Sequence, residues 1–238
     1  MSVAYARELA LIGQENFKKL RGAHVAVFGI GGVGSYAAEA LVRAGVGALT
    51  FVDGDIVAES NLNRQLVALH STLGKNKAEV MAARAKDIDP ACAVTALPLY
   101  YGEETAHLFD FSRFTFVADC IDSVAQKVEL ICAARAAGVP VVSCMGAGNR
   151  LAADFCVSDI ERTSGCPLAR IVRRALRARG VSGVAAVYSP SAPLTPAAEF
   201  SAAGERAVGS VSFVPSAAGL LLAGEVVSRI IGQGGKQG

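Results

Sequence analysis

No two of the six cysteines, at positions 92, 120, 132, 144, 156 and 166, form a C-x-x-C pair. That absence removes the usual spacing of a zinc ribbon. The three histidines, His24, His70 and His107, share no metal-ligand spacing either. There is no excess of charge of one sign: 23 Lys and Arg stand against 21 Asp and Glu, a formal net charge of +2. A polyanion-binding site therefore has to come from local clustering rather than from the global balance. Uninterrupted apolar runs are scarce. The N-terminus carries Arg7 and Glu8 where a signal peptide needs an apolar core, which reads as an unprocessed cytoplasmic start. The most apolar late stretch, VSFVPSAAGLLLAGEVVSRIIG, is interrupted by Pro215, Glu225 and Arg229. It is expected to be a buried helix rather than a membrane span of about 20 apolar residues. With no secretion signal, the widely spaced cysteines are expected to be reduced thiols, mostly in the core.

What is present is an α/β pattern. The chain has 238 residues and is 52% hydrophobic, enough for one substantial core. Strands are expected at 24–29, 48–53, 92–99, 114–120 and 139–146, and helices at 34–44, 77–88 and 125–138. This β-α-β alternation implies an α/β, Rossmann-like fold, a mostly parallel sheet with helices on both faces. The pattern then changes. DFCVSDI and VAAVYS read as strands flanking a helix over 167–179, which makes a smaller mixed C-terminal part. The Pro- and Ala-rich stretch 189–209 reads as a long loop, of a kind that is usually functional or disordered. One domain is expected over 1–231, in halves of 1–150 and 151–231, with 232–238 a disordered tail.

In AVFGIGGVGS, residues Gly29, Gly31, Gly32 and Gly34 lie between an expected strand and an expected helix and satisfy G-x-G-x-x-G. That is the setting of a phosphate-binding loop. Asp53 follows Gly34 by nineteen positions, where a carboxylate takes ribose hydroxyls. Alone, this suits a nicotinamide or flavin dinucleotide. The following loop, DGDIVAESNLNRQ, adds Asn61, Arg64 and Gln65, and Lys77 opens the next helix. A triphosphate, with about four negative charges, needs such cations at its outer groups, whereas a pyrophosphate diester needs few. Asp122, in ADCIDS after the fourth strand, supplies a carboxylate for Mg²⁺, which takes one or two carboxylates plus phosphate oxygens. The residues therefore point to ATP and Mg²⁺. The glycines, Asp53, Asn61 and Gln65 are assigned to binding, and Arg64, Lys77 and Asp122 to chemistry. Alternatives stay open at several positions. Asp55 shares the loop with Asp53, Lys75 lies close to Lys77, and Asp119 competes with Asp122. Arg64 and Lys77 are also compatible with solvated surface charge. Cys166 precedes Pro167 at a helix start, compatible with a nucleophile or with a structural N-terminus.

Together, GIGGVGS, DGDIVAESNLNRQ, Lys77 and DCIDS resemble the ubiquitin-activating-enzyme-like (ThiF- and MoeB-type) adenylating superfamily, whose members use ATP to adenylate a carboxylate. RELALIG, NRQLVALHSTLGKNKAEVM, CMGAGNRL, TSGCPLARIVRRALRARG, VYSP and GSVSFVPSAAGLLLAGEVV narrow the resemblance to its bacterial tRNA threonylcarbamoyladenosine dehydratases, over residues 7–231. The resemblance implies that the modified base is adenylated and closes a ring with loss of water. That chemistry needs no thioester on Cys166. It also implies a homodimer in which Arg7 reaches the partner subunit's ATP site. A cysteine desulfurase or sulfur-acceptor protein is a further partner of that kind. The rival reading is an activator of a ubiquitin-like or sulfur-carrier protein. Those activators commonly carry two C-x-x-C pairs, from which this chain departs.

Arg170, Arg173, Arg174 and Arg177 recur at i, i+3, i+4, i+7 on the expected helix 167–179, with Arg162 and Arg179 nearby. Such a stripe is commonly a solvated face. Concentrated in a near-neutral chain, it also suits a phosphate backbone, and the resemblance makes tRNA the expected partner.

Overall fold

The computed structural model describes residues 3–197 and 208–233. The middle of the 189–209 loop and the tail beyond Gln233 lie outside the described residues. The elements run α1 (Ala6–Gly22), β1 (His24–Phe28), α2 (Gly34–Arg43), β2 (Ala48–Val52), α3 (Lys77–Ile88), β3 (Ala93–Leu97) and β4 (Phe116–Asp119). They continue with α4 (Val124–Ala136), β5 (Val141–Cys144), β6 (Cys156–Asp159), α5 (Pro167–Ala178), β7 (Ala185–Tyr188) and α6 (Phe213–Ile230). One seven-stranded sheet results, in the order β3-β2-β1-β4-β5-β7-β6. All neighbours are parallel except the β6–β7 pair. The mixed part expected after residue 150 thus continues the same sheet, because β7 pairs with β5.

Strand alternation sends successive side chains to opposite faces. In β1, Val25 and Val27 enter a core shared with α2, α3 and α6. Ala26 and Phe28 enter a second core with α4 and α5. There Phe28 meets the rings of Tyr101, Phe109 and Phe111. The apolar stretch near the C-terminus is α6. It is long and apolar enough to cross a membrane by length and composition. Its Ala218, Leu222 and Val226 are buried in the first core, against α2. A side chain at Gly219 would collide with the Val33 carbonyl, so this glycine sets how closely α6 approaches α2.

The strands end earlier than their apolar runs. After each last rung the chain makes one more bond and turns out of the sheet: Gly29 N–H to Val52 O, Asp53 N–H to Leu97 O, Cys120 N–H to Phe28 O. These turns share one rim, the carboxyl ends of β1, β2, β4 and β5. The connection leaving β1 runs to β2 on one side and the one leaving β4 runs to β5 on the other, so the strand order reverses between β1 and β4 and opens a crevice.

Candidate active site

A cavity of about 720 Å³ occupies that rim. Gly29, Gly31, Gly32, Asp53, Asn61, Arg64, Gln65, Lys77 and Asp122 all line it. The glycines divide the work. Gly29 sits at φ 86°, and a Cβ there would stand 2.8 Å from Cys120 O. A Cβ on Gly34 would collide with the Gly29 carbonyl, so both glycines fix the turn and the start of α2. Gly31 is open, with Gln65 Nε2 the nearest atom to its would-be Cβ at 3.8 Å. That is the place for close backbone approach by a phosphate.

Asp53 ends β2 and is buried. Its Oδ2 accepts the Ile30 N–H at 2.6 Å and its Oδ1 the Asp55 N–H at 2.8 Å, which ties it to the glycine loop. Burial pushes its carboxyl above the ordinary range, against the pull of those N–H groups and of Lys77. Asn76 caps α3, accepting from the Ala78 and Glu79 N–H groups and donating to Asp53 O at 3.0 Å and Asp55 O at 3.1 Å. This cap places Lys77, itself buried, with Nζ 2.7 Å from Asp55 Oδ2. Asp55 also accepts the Tyr100 hydroxyl. Burial raises the Asp55 carboxyl, but its bonds to Lys77 and Tyr100 outweigh that and hold it below the ordinary value. Lys75 lines a separate groove of about 500 Å³ beside α3.

Arg64 is half-buried, its Nη1 donating to Ser60 O at 2.8 Å and Asn63 Oδ1 at 2.9 Å. Asn61 Oδ1 accepts the Ala58 N–H and shapes the same loop. Gln65 is buried and its Oε1 has no partner. That oxygen is an acceptor left for a ligand's donor to satisfy.

Burial separates the two aspartates that the sequence left in competition. Asp119 is fully buried, 2.7 Å from Lys127 Nζ, and also accepts from Ser143 Oγ. Its other oxygen takes the Ile121 N–H at 3.1 Å. Asp122 is exposed on the cavity. Among the described residues, no group of three or more His, Cys, Asp and Glu converges to hold a metal. Asp53 and Asp55 line the same cavity, but their oxygens are taken up by the Ile30 and Asp55 N–H groups, Lys77 and Tyr100. That leaves Asp122 as the carboxylate free to fit Mg²⁺, an ion that keeps phosphate and water oxygens for most of its shell. The open Gly31 and the cations Arg64 and Lys77 fit a triphosphate, whereas the orphaned Gln65 oxygen, an acceptor, calls for a donor group of the ligand.

Other expected residues lie elsewhere. Arg7 is exposed and does not line its own chain's cavity. Cys166 is the N-cap of α5, buried in the second core, with Sγ 3.7 Å from where a Gly146 Cβ would stand. On α5, Ala169, Val172 and Leu176 face the core. Arg170, Arg174 and Arg177 are exposed. Arg173 is half-buried, bonded to Thr163 O at 2.8 Å and Thr163 Oγ1 at 2.7 Å, and so differs from the rest of the stripe. Arg179 pairs with Glu129 at 2.6 Å. Sequence reasoning passed over Tyr100, Gln126 and Gly146–Gly148, which also line the cavity. Nothing in local sequence marks Tyr100, whereas the block CMGAGNRL holds Gly146, Gly148, Asn149 and Arg150.

A mostly parallel sheet whose glycine loop, buried Asp53 carboxylate and the cations Arg64 and Lys77 share one rim defines a Rossmann-like nucleotide-binding protein. More narrowly, the chain belongs to the ThiF family, whose model matches residues 5–237. It is 38% identical over 243 residues to the tRNA threonylcarbamoyladenosine dehydratase of Bacillus subtilis, covering 95% of this chain and 94% of that protein. The crystal structure of the E. coli tRNA N6-threonylcarbamoyladenosine dehydratase TcdA in complex with ATP superposes with a TM-score of 0.88 at 32% identity. It covers 99% of this chain and 96% of that one. The mouse adenylyltransferase and sulfurtransferase MOCS3 is 37% identical over 142 residues, but these span only 58% of this chain and 30% of that protein.

Proposed function

We propose that this protein is an ATP-dependent dehydratase of threonylcarbamoyladenosine in tRNA. The observation that carries the reading is the cavity itself: open glycine, ribose carboxylate, two cations and an exposed aspartate on one rim, in a chain similar end to end to such dehydratases. The threonyl carboxylate of the modified base attacks the α-phosphorus of ATP, and pyrophosphate leaves. Arg64 and Lys77 stabilise the charge that develops on the phosphates. Lys77 is held ready by Asp55, and Arg64 exchanges its bonds to Ser60 and Asn63 for the phosphate chain. Asp122 would hold Mg²⁺, which neutralises phosphate charge as a Lewis acid. The acyl-adenylate is then attacked by its own carbamoyl group, a ring closes and AMP departs. Reacting groups on one molecule have a high effective concentration, so no covalent enzyme intermediate is needed. Cys166, buried at a helix start, has no part in this scheme.

The exposed face of α5 supplies the RNA-binding surface, through Arg170, Arg174 and Arg177. Leu168, near the start of the same helix, lines the cavity. Arg7, which does not line its own chain's cavity, serves the site of a second copy in a homodimer. The reaction belongs in the cytoplasm, where tRNA is its substrate.

The test is to incubate the protein with ATP, Mg²⁺ and tRNA bearing threonylcarbamoyladenosine, and to weigh the nucleosides. Loss of one water from that nucleoside supports the reading. An unchanged mass, together with pyrophosphate exchange driven by a carrier protein ending in Gly-Gly, overturns it in favour of carrier activation.

A further inference from the structure

Asn149 and Arg150 are adjacent in sequence, yet they join segments from three parts of the chain. Asn149 holds a left-handed backbone at φ 58°, which asparagine tolerates better than most side chains. From there its N–H donates to Gly209 O at 2.7 Å, and its Oδ1 accepts the Gly209 N–H at 2.6 Å. Its carbonyl accepts the Leu194 N–H at 2.7 Å. Arg150 is 6% exposed. Its Nε donates to Gly146 O at 3.1 Å, and its Nη1 to Ser189 Oγ and Ser191 O, both at 2.6 Å. Asp154 accepts the hydroxyls of Ser189 and Ser191 from the other side.

The junction reaches the cavity on two sides. Gly146 and Gly148 line it directly, and the Val208 side chain stands 2.5 Å from where a Gly148 Cβ would be. Next to Gly209, Ser210 also lines the cavity, and its carbonyl accepts from Asn63 Nδ2 at 3.0 Å, beside Arg64. A path therefore runs from Arg64 through Asn63 to Ser210, along the chain to Gly209 and across to Asn149. The hydrogen bonds of Asn149 and Arg150 go to Gly146, Ser189, Ser191, Leu194 and Gly209, and none goes to the glycine loop or Asp53. A buried guanidinium that spends three donors on backbone and serine oxygens fixes geometry more than it supplies surface charge.

We propose that Asn149 and Arg150 are positioning residues of the acceptor wall: they set the shape on which the carboxylate-bearing substrate docks and leave ATP binding alone. This rests on the proposed function, since the substrate is the modified RNA that function requires.

The experiment compares Asn149→Gly, Asn149→Asp and Arg150→Met with the wild type in equilibrium ATP binding, in KM for the modified tRNA and in melting temperature. Glycine keeps the left-handed backbone and loses the acceptor; aspartate keeps both. The expected result for Asn149→Gly is an ATP Kd near wild type with KM for RNA raised about tenfold, the scale of one missing hydrogen bond. Asn149→Asp restores most of it. Arg150→Met moves the same quantity in the same direction. Equal weakening of ATP binding, an unchanged KM for RNA, or an aspartate variant as poor as the glycine variant overturns the inference. If the wild type binds ATP but dehydrates no modified tRNA, the proposed function falls first and takes the inference with it.

Discussion

Asp119 and Asp122 carry the same carboxylate three positions apart, and water decides what each one does. Asp119 is held by Lys127 inside the sheet, where neither side chain is exposed. Asp122 faces the cavity. Asp122→Ala is therefore expected to leave the melting temperature unchanged and to abolish Mg²⁺-dependent pyrophosphate exchange; exchange at the wild-type rate removes the metal assignment. Lys127→Met strands a buried anion and is expected to cost about 3–5 kcal/mol in urea unfolding. Replacing Asp119 and Lys127 together by apolar residues should recover most of that stability. Arg64→Ala and Lys77→Ala are each expected to lower kcat/KM by about 2–4 kcal/mol of transition-state stabilisation. Turnover that stays at wild type in either variant reduces that residue to surface charge.

Among the elements, α5 shows most clearly how one helix serves two demands. Its apolar stripe packs on the second core and its arginines face outward, but Arg173 is drawn back to Thr163. The residues to neutralise are therefore Arg170 and Arg174. Their double substitution to glutamine is expected to weaken tRNA binding and to reduce the log–log salt slope by roughly 0.7–0.9 for each phosphate that is no longer neutralised. ATP binding should not change, and a tRNA affinity with unaltered salt dependence would make the stripe a solvated face. α3 shows the same economy: the Asn76 cap that starts the helix also grips the backbone of Asp53 and Asp55, so helix initiation and site geometry are one event.

At the scale of the molecule, ion pairs fasten the helices to one another. Asp89 caps α3 and receives Arg21 at 2.5 Å and the Tyr5 hydroxyl at 2.9 Å, joining both ends of α1 to it. Burial opposes ionisation of Asp89, but Arg21 and Tyr5 prevail and its carboxyl lies below the ordinary 3.8. Glu39 is likewise held low by Arg84 and Arg43, against burial. A carboxyl depressed in the folded state adds stability above its unfolded value, and that stability is lost as pH falls through the folded one. Melting temperature is thus expected to drop on acidification below about pH 4, and Asp89→Asn should flatten that drop while lowering the plateau near neutrality. An identical pH profile in the variant rules out this contribution. Asp53 acts in the opposite sense: its raised carboxyl favours the fold at low pH and loses that contribution as pH rises through its folded value.

The order of elements, the glycine turn and the spacing to Asp53, Asn61, Arg64, Lys77 and Asp122 were determined by the sequence. Those features are local: a two-residue alternation, a helical stripe, a turn that only glycine fits. Pro90 after α3 and Pro167 at the start of α5 act at the same range. Tertiary structure decided what depends on distant neighbours. Asp55 became the partner of Lys77 because Asn76 ties two loops together. Lys75 turned to another groove, Arg173 to Thr163, and Asn149 met Leu194 and Gly209, sixty residues on. Burial and hydrogen-bond pairing are properties of the packed chain, and no window of sequence contains both partners of a pairing that only folding brings together.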